Sequence, residues 1–254
     1  MCNTNLITEH LNFEIRRKEI RMSFFIGAIL PYITLVVFVV GIIYHIYIWK
    51  KLPKPKMTLT PAPKPGIPRY VELLKETFFF RSLFKGDKNL WIFSWVFHAM
   101  LALIIIGHLR VVMWLPDKIL ASIGMSEESI NTMSQLSGGI AGIVILLMVL
   151  VLFGRRIVTE RVREISVRGD YLALVLILIV LITGDAMRFI SHFDLSLTRE
   201  YFLGLVTFSV VTIPENSWFI AHFLFAQVLI MYMPFSKLLH FGGIFFTEAL
   251  IHEH

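Results

Sequence analysis

A chain of 254 residues, 56% hydrophobic and 17% charged, with a mean hydropathy of +0.73, is far more apolar than a soluble domain, in which roughly 25% of residues carry charge. Its single cysteine, Cys2, excludes an internal disulfide, a cysteine-held iron–sulfur cluster and the Cys-x-x-Cys-His attachment of a c-type haem. The formal net charge of +6 does not point to nucleic acid, because the basic residues gather between apolar runs, as they do in membrane proteins.

In chain order, residues 1–23 form an N-terminal extension with Arg16, Arg17, Lys18 and Arg21 set among Glu9, Glu14 and Glu19; either Met1 or Met22 is the native start. The first apolar run, about 24–49, closes in KKLPKPK without a small-residue cleavage signature and therefore reads as a retained anchor. TLTPAPKPGIPRY is rich in proline and should run extended across the surface. YVELLKETFFFRSLF mixes charge with aromatics, which suits a helix lying in the membrane interface or docked on a partner. Further runs at about 91–114, 136–154, 170–190 and 217–239 are each close to the roughly 20 residues needed to cross a bilayer. The pattern predicts an all-α integral membrane protein with five transmembrane helices over residues 24–245 and a short tail at 246–254.

Loop charge sets the expected orientation. Residues 50–90 carry Lys50, Lys51, Lys54, Lys56, Lys64, Arg69, Lys75, Arg81, Lys85 and Lys88, and residues 155–169 carry Arg155, Arg156, Arg161, Arg163 and Arg168. The opposite loops hold only Lys118 and Arg199. The positive-inside rule then places the N-terminus outside and the C-terminus, with its tail, in the cytoplasm of a multi-pass protein of the cell membrane.

The stretch FHAMLALIIIGHLR places His98 and His108 in the second run, and the fifth run carries His222 with His240 at its edge. One membrane histidine is ordinarily a helix–helix hydrogen bond or an interfacial residue. Four on two helices suit two haems, each taking one axial imidazole from either helix. Antiparallel passage pairs His98 with His240 near the cytoplasm and His108 with His222 near the outside. Ten residues of helix rise about 15 Å and eighteen about 27 Å. Eighteen residues are five whole turns, which predicts His222 and His240 on one face, whereas ten leave His98 and His108 about 80° apart.

These residues carry a resemblance. PYI at 31–33, the FH and GH around His98 and His108, SGGIAG at 137–142 followed by Arg155-Arg156, RVR at 161–163, His222 and PFSKLLH at 234–240 resemble the gamma subunit of respiratory nitrate reductase and its relatives, five-span dihaem cytochromes b. The longer proline-rich loop, GHLR, GDAMRF and HFGG look more like the membrane cytochrome b subunit of the dissimilatory sulfite reductase-associated complex, which in turn resembles heterodisulfide-reductase cytochromes. The resemblance implies two haem b, exchange of electrons with menaquinone at the outer haem, a cytoplasmic iron–sulfur partner of heterodisulfide-reductase type and further subunits of a respiratory complex. The quinol-pocket lysine of nitrate reductase gamma subunits is missing, where Asn131 and Thr132 stand.

The remaining polar residues at membrane depth are weighed beside that likeness. Asp185 and Arg188, three residues apart on one helix, either form a local ion pair or handle the proton of a quinone beside the outer haem, with Gly107 offering close approach next to His108. Arg110 and Arg188 are candidate partners for outer haem propionates, and Arg155 or Arg156 for inner ones. The expected role is an oxidoreductase subunit carrying electrons between menaquinone and the cytoplasmic partner, with a nitrate reductase or heterodisulfide reductase gamma-type subunit as the alternative. A bare anchor with degenerate sites is a third reading. A proton channel or transporter relaying through His98, His108, Asp185 and Arg188 is the reading from another class, and it has no use for two matched histidine pairs.

Overall fold

The computed structural model describes residues 3–52, 69–191, 194–209, 212–240 and 242–243, which are helical almost throughout and contain no strand. The prolines of 53–68 and the tail 246–254 lie outside them. Helix α1 (Asn3–Phe24) runs through a π-helical turn (Phe25–Ile29) into α2 (Leu30–Lys51), so the extension and the first span are continuous, joined by a turn and not by a loop. The π turn is tied down where its backbone is accessible: Tyr201 Oη donates to the Gly27 carbonyl (2.6 Å) and Gln227 Nε2 to that of Ile26 (3.2 Å). Such turns recur where a helix must present backbone groups to a neighbour.

After α3 (Arg69–Phe79) and α4 (Arg81–Gly86) comes α5 (Lys88–Val112), started by Asp87, whose carboxylate accepts from Leu90 N–H at 2.9 Å. Short α6 (Leu115–Ser122) leads to α7 (Glu127–Val158), capped by Ser126 and carrying Glu127 and Glu128 in its first turn. That N-terminal chemistry favours a helix start, and it begins α7 nine residues before the expected 136. Then follow α8 (Glu160–Glu164), α9 (Arg168–Phe189), α10 (Leu195–Val206) and α11 (Ser217–Tyr232), with 3₁₀ turns at Met233–Phe235 and Lys237–Leu239. Five segments have the length and apolarity to cross a membrane: Arg16–Lys51, Lys88–Val112, Glu127–Val158, Arg168–Phe189 and Ser217–Phe235. The fifth helix corrects the expectation of an unbroken 217–239 run. Pro234 cannot donate to the helix ladder, so α11 stops at Tyr232 and His240 lies beyond two tight turns. His222 and His240 therefore do not share one straight face.

The spans form an arc in which α5 packs along α7, α7 along α9, α9 along α11 and α11 along α2. Lipid gives helices no hydrophobic reason to associate, so close approach at small residues matters more than in water. At Gly41 a Cβ would stand 2.6 Å from Pro234 Cβ, and at Gly27 2.8 Å from Ile213 Cβ. The buried core, Ile26, Tyr201, Leu205, Ile213 and Phe219, lies at the end of the bundle where the π turn meets α10. There α10 crosses the bundle, and its Leu205 carbonyl accepts from Tyr32 Oη at 2.8 Å. Replacing Gly41 with Val should wedge Pro234 off α2 and cost about 1–3 kcal/mol, the usual effect of overpacking; thermal unfolding in mild detergent should show a lower midpoint, and an unchanged midpoint would contradict this packing.

Candidate functional site

The arc leaves a gap. Helices α5 and α11 do not pack side by side, and Arg110 is the one buried residue of α5. Histidines bridge that gap. The rings of His98 and His240 lie 5.9 Å apart, crossed at 87°, and those of His108 and His222 lie 6.2 Å apart at 23°.

All four rings are oriented in the same chemical sense. Nδ1 of His98 bonds the Ser94 carbonyl (2.7 Å), Nδ1 of His108 that of Ile104 (2.8 Å), Nδ1 of His222 that of Val180 (3.0 Å) and Nδ1 of His240 that of Lys237 (3.0 Å). A carbonyl can only accept, so each Nδ1 carries the proton and Nε2 is left with a free lone pair, the state in which imidazole binds a metal. A metal–imidazole bond of about 2 Å on either side, with each ring centre ~1 Å behind its nitrogen, sets two trans ligands about 6 Å apart between ring centres. Both pairs have that separation. Among the described residues no group of three or more His, Cys, Asp or Glu could hold a bare ion. Two imidazoles per site would suffice only for a metal that arrives with its remaining ligands already in place, and haem iron is such a metal.

A charged cluster stands at each end of the bundle. Near His240, Asp170 Oδ2 accepts from Lys237 Nζ (2.8 Å) and Arg156 Nη1 (3.0 Å), and Arg156 also donates to Ser166 Oγ at 2.8 Å. Arg155 is more loosely held, 3.9 Å from Asp87. Near His108, Asp117 pairs with Arg110 and Arg199, Arg110 Nη2 donates to Asn131 Oδ1 (2.8 Å), and Arg199 Nε donates to the Arg110 carbonyl (2.7 Å). Arg199 also lies over the Trp114 ring. Each cluster has two cations for one carboxylate.

Small residues seat the other side chains. A Cβ on Gly184 would stand 3.0 Å from Cε1 of His222, so α9 approaches that ring only because residue 184 is glycine. Around Gly107 no atom of the neighbouring described residues lies within 4 Å of a Cβ position, so the flank of α5 next to His108 is open, whereas the tight approach of a helix to a histidine ring is made at Gly184. Arg188 lies against Gly138 and donates to the carbonyls of Ser134 (3.4 Å) and Gln135 (3.1 Å), whereas Asp185 lies against Gly142. The expected local ion pair is replaced by this arrangement: within the described residues Asp185 and Arg188 make no salt bridge, and Asp185 has no hydrogen-bond partner. The glycines of SGGIAG are thus seats for both charged side chains, a use that the motif alone did not announce.

Burial alone would raise the Asp117 carboxyl, but the hydrogen bonds and charges of Arg110 and Arg199 hold it below its ordinary value of 3.8. A folded pKa below the unfolded one stabilises the protein above the ordinary carboxylate range and loses that contribution as pH falls through the depressed value. Asp117→Asn should cost about 2 kcal/mol near neutrality, below the ~3–5 kcal/mol of a fully buried pair because its side chain is 21% exposed. Thermal unfolding as a function of pH checks this: the difference from wild type should shrink in acid, and a pH-independent difference would contradict the ion-pair account.

The model of the nitrate reductase gamma subunit family matches residues 81–248. The chain is 31% identical to the Hdr-like menaquinol oxidoreductase cytochrome b-like subunit of Archaeoglobus profundus, over 87% of this chain and 76% of that one. It is 32% identical to the subunit of the same name from Archaeoglobus fulgidus, over 88% and 78%. It is also 30% identical to the nitrate reductase gamma chain of Bacillus subtilis, over 58% and 69%.

Proposed function

The chain belongs to the nitrate reductase gamma subunit family, and on that premise we propose that it is a dihaem cytochrome b subunit passing electrons from menaquinol to a cytoplasmic iron–sulfur partner. The observation that carries this reading is the pair of facing imidazole couples, His98 with His240 and His108 with His222, every Nδ1 committed to a carbonyl. Each haem, when bound, supplies a one-electron couple, while the protein supplies ligation, orientation and electrostatics. The Nδ1–H bonds fix the tautomer and the ring direction of the four ligands. The excess cation of each cluster suits the propionates of a haem, with Arg110 at one end and Arg155 or Arg156 at the other.

Charge supports the orientation. The loops 50–90 and 155–169 give a basic cytoplasmic face on which a partner of heterodisulfide-reductase type docks nearest His98 and His240. The quinol is oxidised at the opposite end, near His108 and His222. There Asp185 stands beside α7 without a hydrogen-bond partner among the described residues, Arg188 holds the neighbouring carbonyls, and the space beside Gly107 is open. In this reading Asp185 accepts a proton from a quinol hydroxyl and releases it outward, and Arg188 sets the local charge. The wider match to the Hdr-like menaquinol oxidoreductase subunits than to the nitrate reductase chain favours a menaquinol-oxidising complex of heterodisulfide-reductase type over a nitrate reductase.

A menaquinol analogue added to the purified oxidised protein should elicit haem b absorption bands. Asp185→Asn should slow that reduction while leaving the bands elicited by dithionite intact. Wild-type reduction in a well-folded Asp185→Asn protein would remove Asp185 from the mechanism, and absence of haem b bands under dithionite would overturn the function.

A further inference from the structure

Phe80, at the joint between α3 and α4, holds a left-handed backbone with φ 47° and ψ 49°. A bulky residue with a Cβ seldom adopts this conformation unless its surroundings impose it, and such outliers cluster where a site needs them. The surroundings here are specific. Phe80 N–H donates to the Glu76 carbonyl (3.0 Å), and the Phe80 carbonyl accepts from Phe84 N–H (2.9 Å). The Glu76 carboxylate accepts from Ser82 N–H on the far side of the joint (3.0 Å). Two tryptophans of α5 then pin the end of α3 in place: Trp91 Nε1 donates to the Phe79 carbonyl (2.7 Å) and Trp95 Nε1 to that of Phe78 (3.1 Å).

What this elbow delivers is a ring. The Phe80 ring meets the His98 imidazole edge to face, 5.0 Å between centres and 81° between planes, and Phe97 meets it at 5.0 Å and 89°. The imidazole is thereby confined in the orientation that crosses His240 at 87°. The other couple has no such support: among the described residues neither His108 nor His222 touches an aromatic ring other than its partner, and their planes lie 23° apart.

We propose that Phe80 is a positioning residue for His98, a strained elbow that sets the plane of this ligand and closes its side of the couple against water and external ligands. The inference rests on the haem reading of the His98–His240 couple given above. It makes the two centres of the chain electronically unlike. Crossed imidazole planes leave the metal dπ orbitals nearly degenerate and give a highly anisotropic low-spin signal, whereas near-parallel planes split them and give a rhombic one.

Glycine adopts the left-handed conformation freely, so Phe80→Gly keeps the elbow and removes the ring; Phe80→Asn serves as a second such variant and Phe80→Tyr restores an aromatic. The full-length protein with its haems would be studied by electron paramagnetic resonance and by carbon monoxide binding after reduction, since a bis-imidazole iron takes carbon monoxide only when one imidazole leaves. Wild type should show one highly anisotropic and one rhombic signal. Phe80→Gly should retain two haems, lose the highly anisotropic signal and bind carbon monoxide at one centre about tenfold faster or more, the usual size of effect when a ligand loses the group that orients it. Phe80→Tyr should restore both properties, and loss of the haem at His98–His240 alone would also bear the proposal out. Two haems with wild-type spectra and carbon monoxide rates in Phe80→Gly would overturn it. Loss of both haems and of helical structure in the Gly and Asn variants alike would make Phe80 a fold element and overturn it too. A wild-type chain without haem would overturn the functional reading and this inference together.

Discussion

An imidazole at membrane depth has two nitrogens to satisfy and no water to satisfy them. Much of the rest of the molecule follows from how His98, His108 and His222 in the spanning helices, and His240 just beyond the last of them, meet that constraint. A nearby backbone carbonyl takes Nδ1–H in every case, drawn from the histidine's own helix for His98 and His108, from α9 for His222 and from the closing 3₁₀ turn for His240. Each Nε2 is then obliged to find a partner in the gap between α5 and α11. Helices packed directly against one another would leave no room for one, and the arc α5–α7–α9–α11–α2 keeps these two apart.

Keeping two helices apart requires something to hold them where they are. At the basic end, Asp170 binds Lys237, three residues before His240, and Arg156 at the end of α7. At the other end, Asp117 binds Arg110, two residues after His108, together with Arg199 of α10. Each carboxylate thus fixes the backbone next to one ligand while its second cation ties that backbone to another element. Ion pairs withdrawn from water are costly unless several hydrogen bonds converge on them, and both aspartates accept from two cations. Gly184 completes the arrangement by letting α9 reach the His222 ring and offer it the Val180 carbonyl.

Much of this was legible in the residues. Apolar runs located five spans, since length and hydropathy suffice for that, and the antiparallel order of spans two and five gave the same histidine pairs whose ring centres lie 5.9 and 6.2 Å apart. Other features depended on tertiary contact. The eighteen-residue count from His222 to His240 assumed one straight helix, whereas Pro234 ends it at Tyr232. Glycine beside a histidine drew attention to Gly107, which borders open space, but gave no sign of the approach that α9 makes to the His222 ring at Gly184. Spacing of three placed Asp185 near Arg188, yet Arg188 found carbonyls on α7 that no local pattern records. Helix α10 carries part of the core in a loop read only for its low charge, and Phe80 was one aromatic in a run of three. A left-handed residue pinned by two tryptophans has no signature in a single sequence.

In the function proposed above, the four histidines act as two independent couples. Haem content per chain, measured as pyridine haemochrome, tests it most directly when wild type is compared with His98→Ala, His108→Ala and the double variant. The account predicts two haems, one, one and none. Retention of both haems in either single variant, or a single haem in wild type, would contradict it.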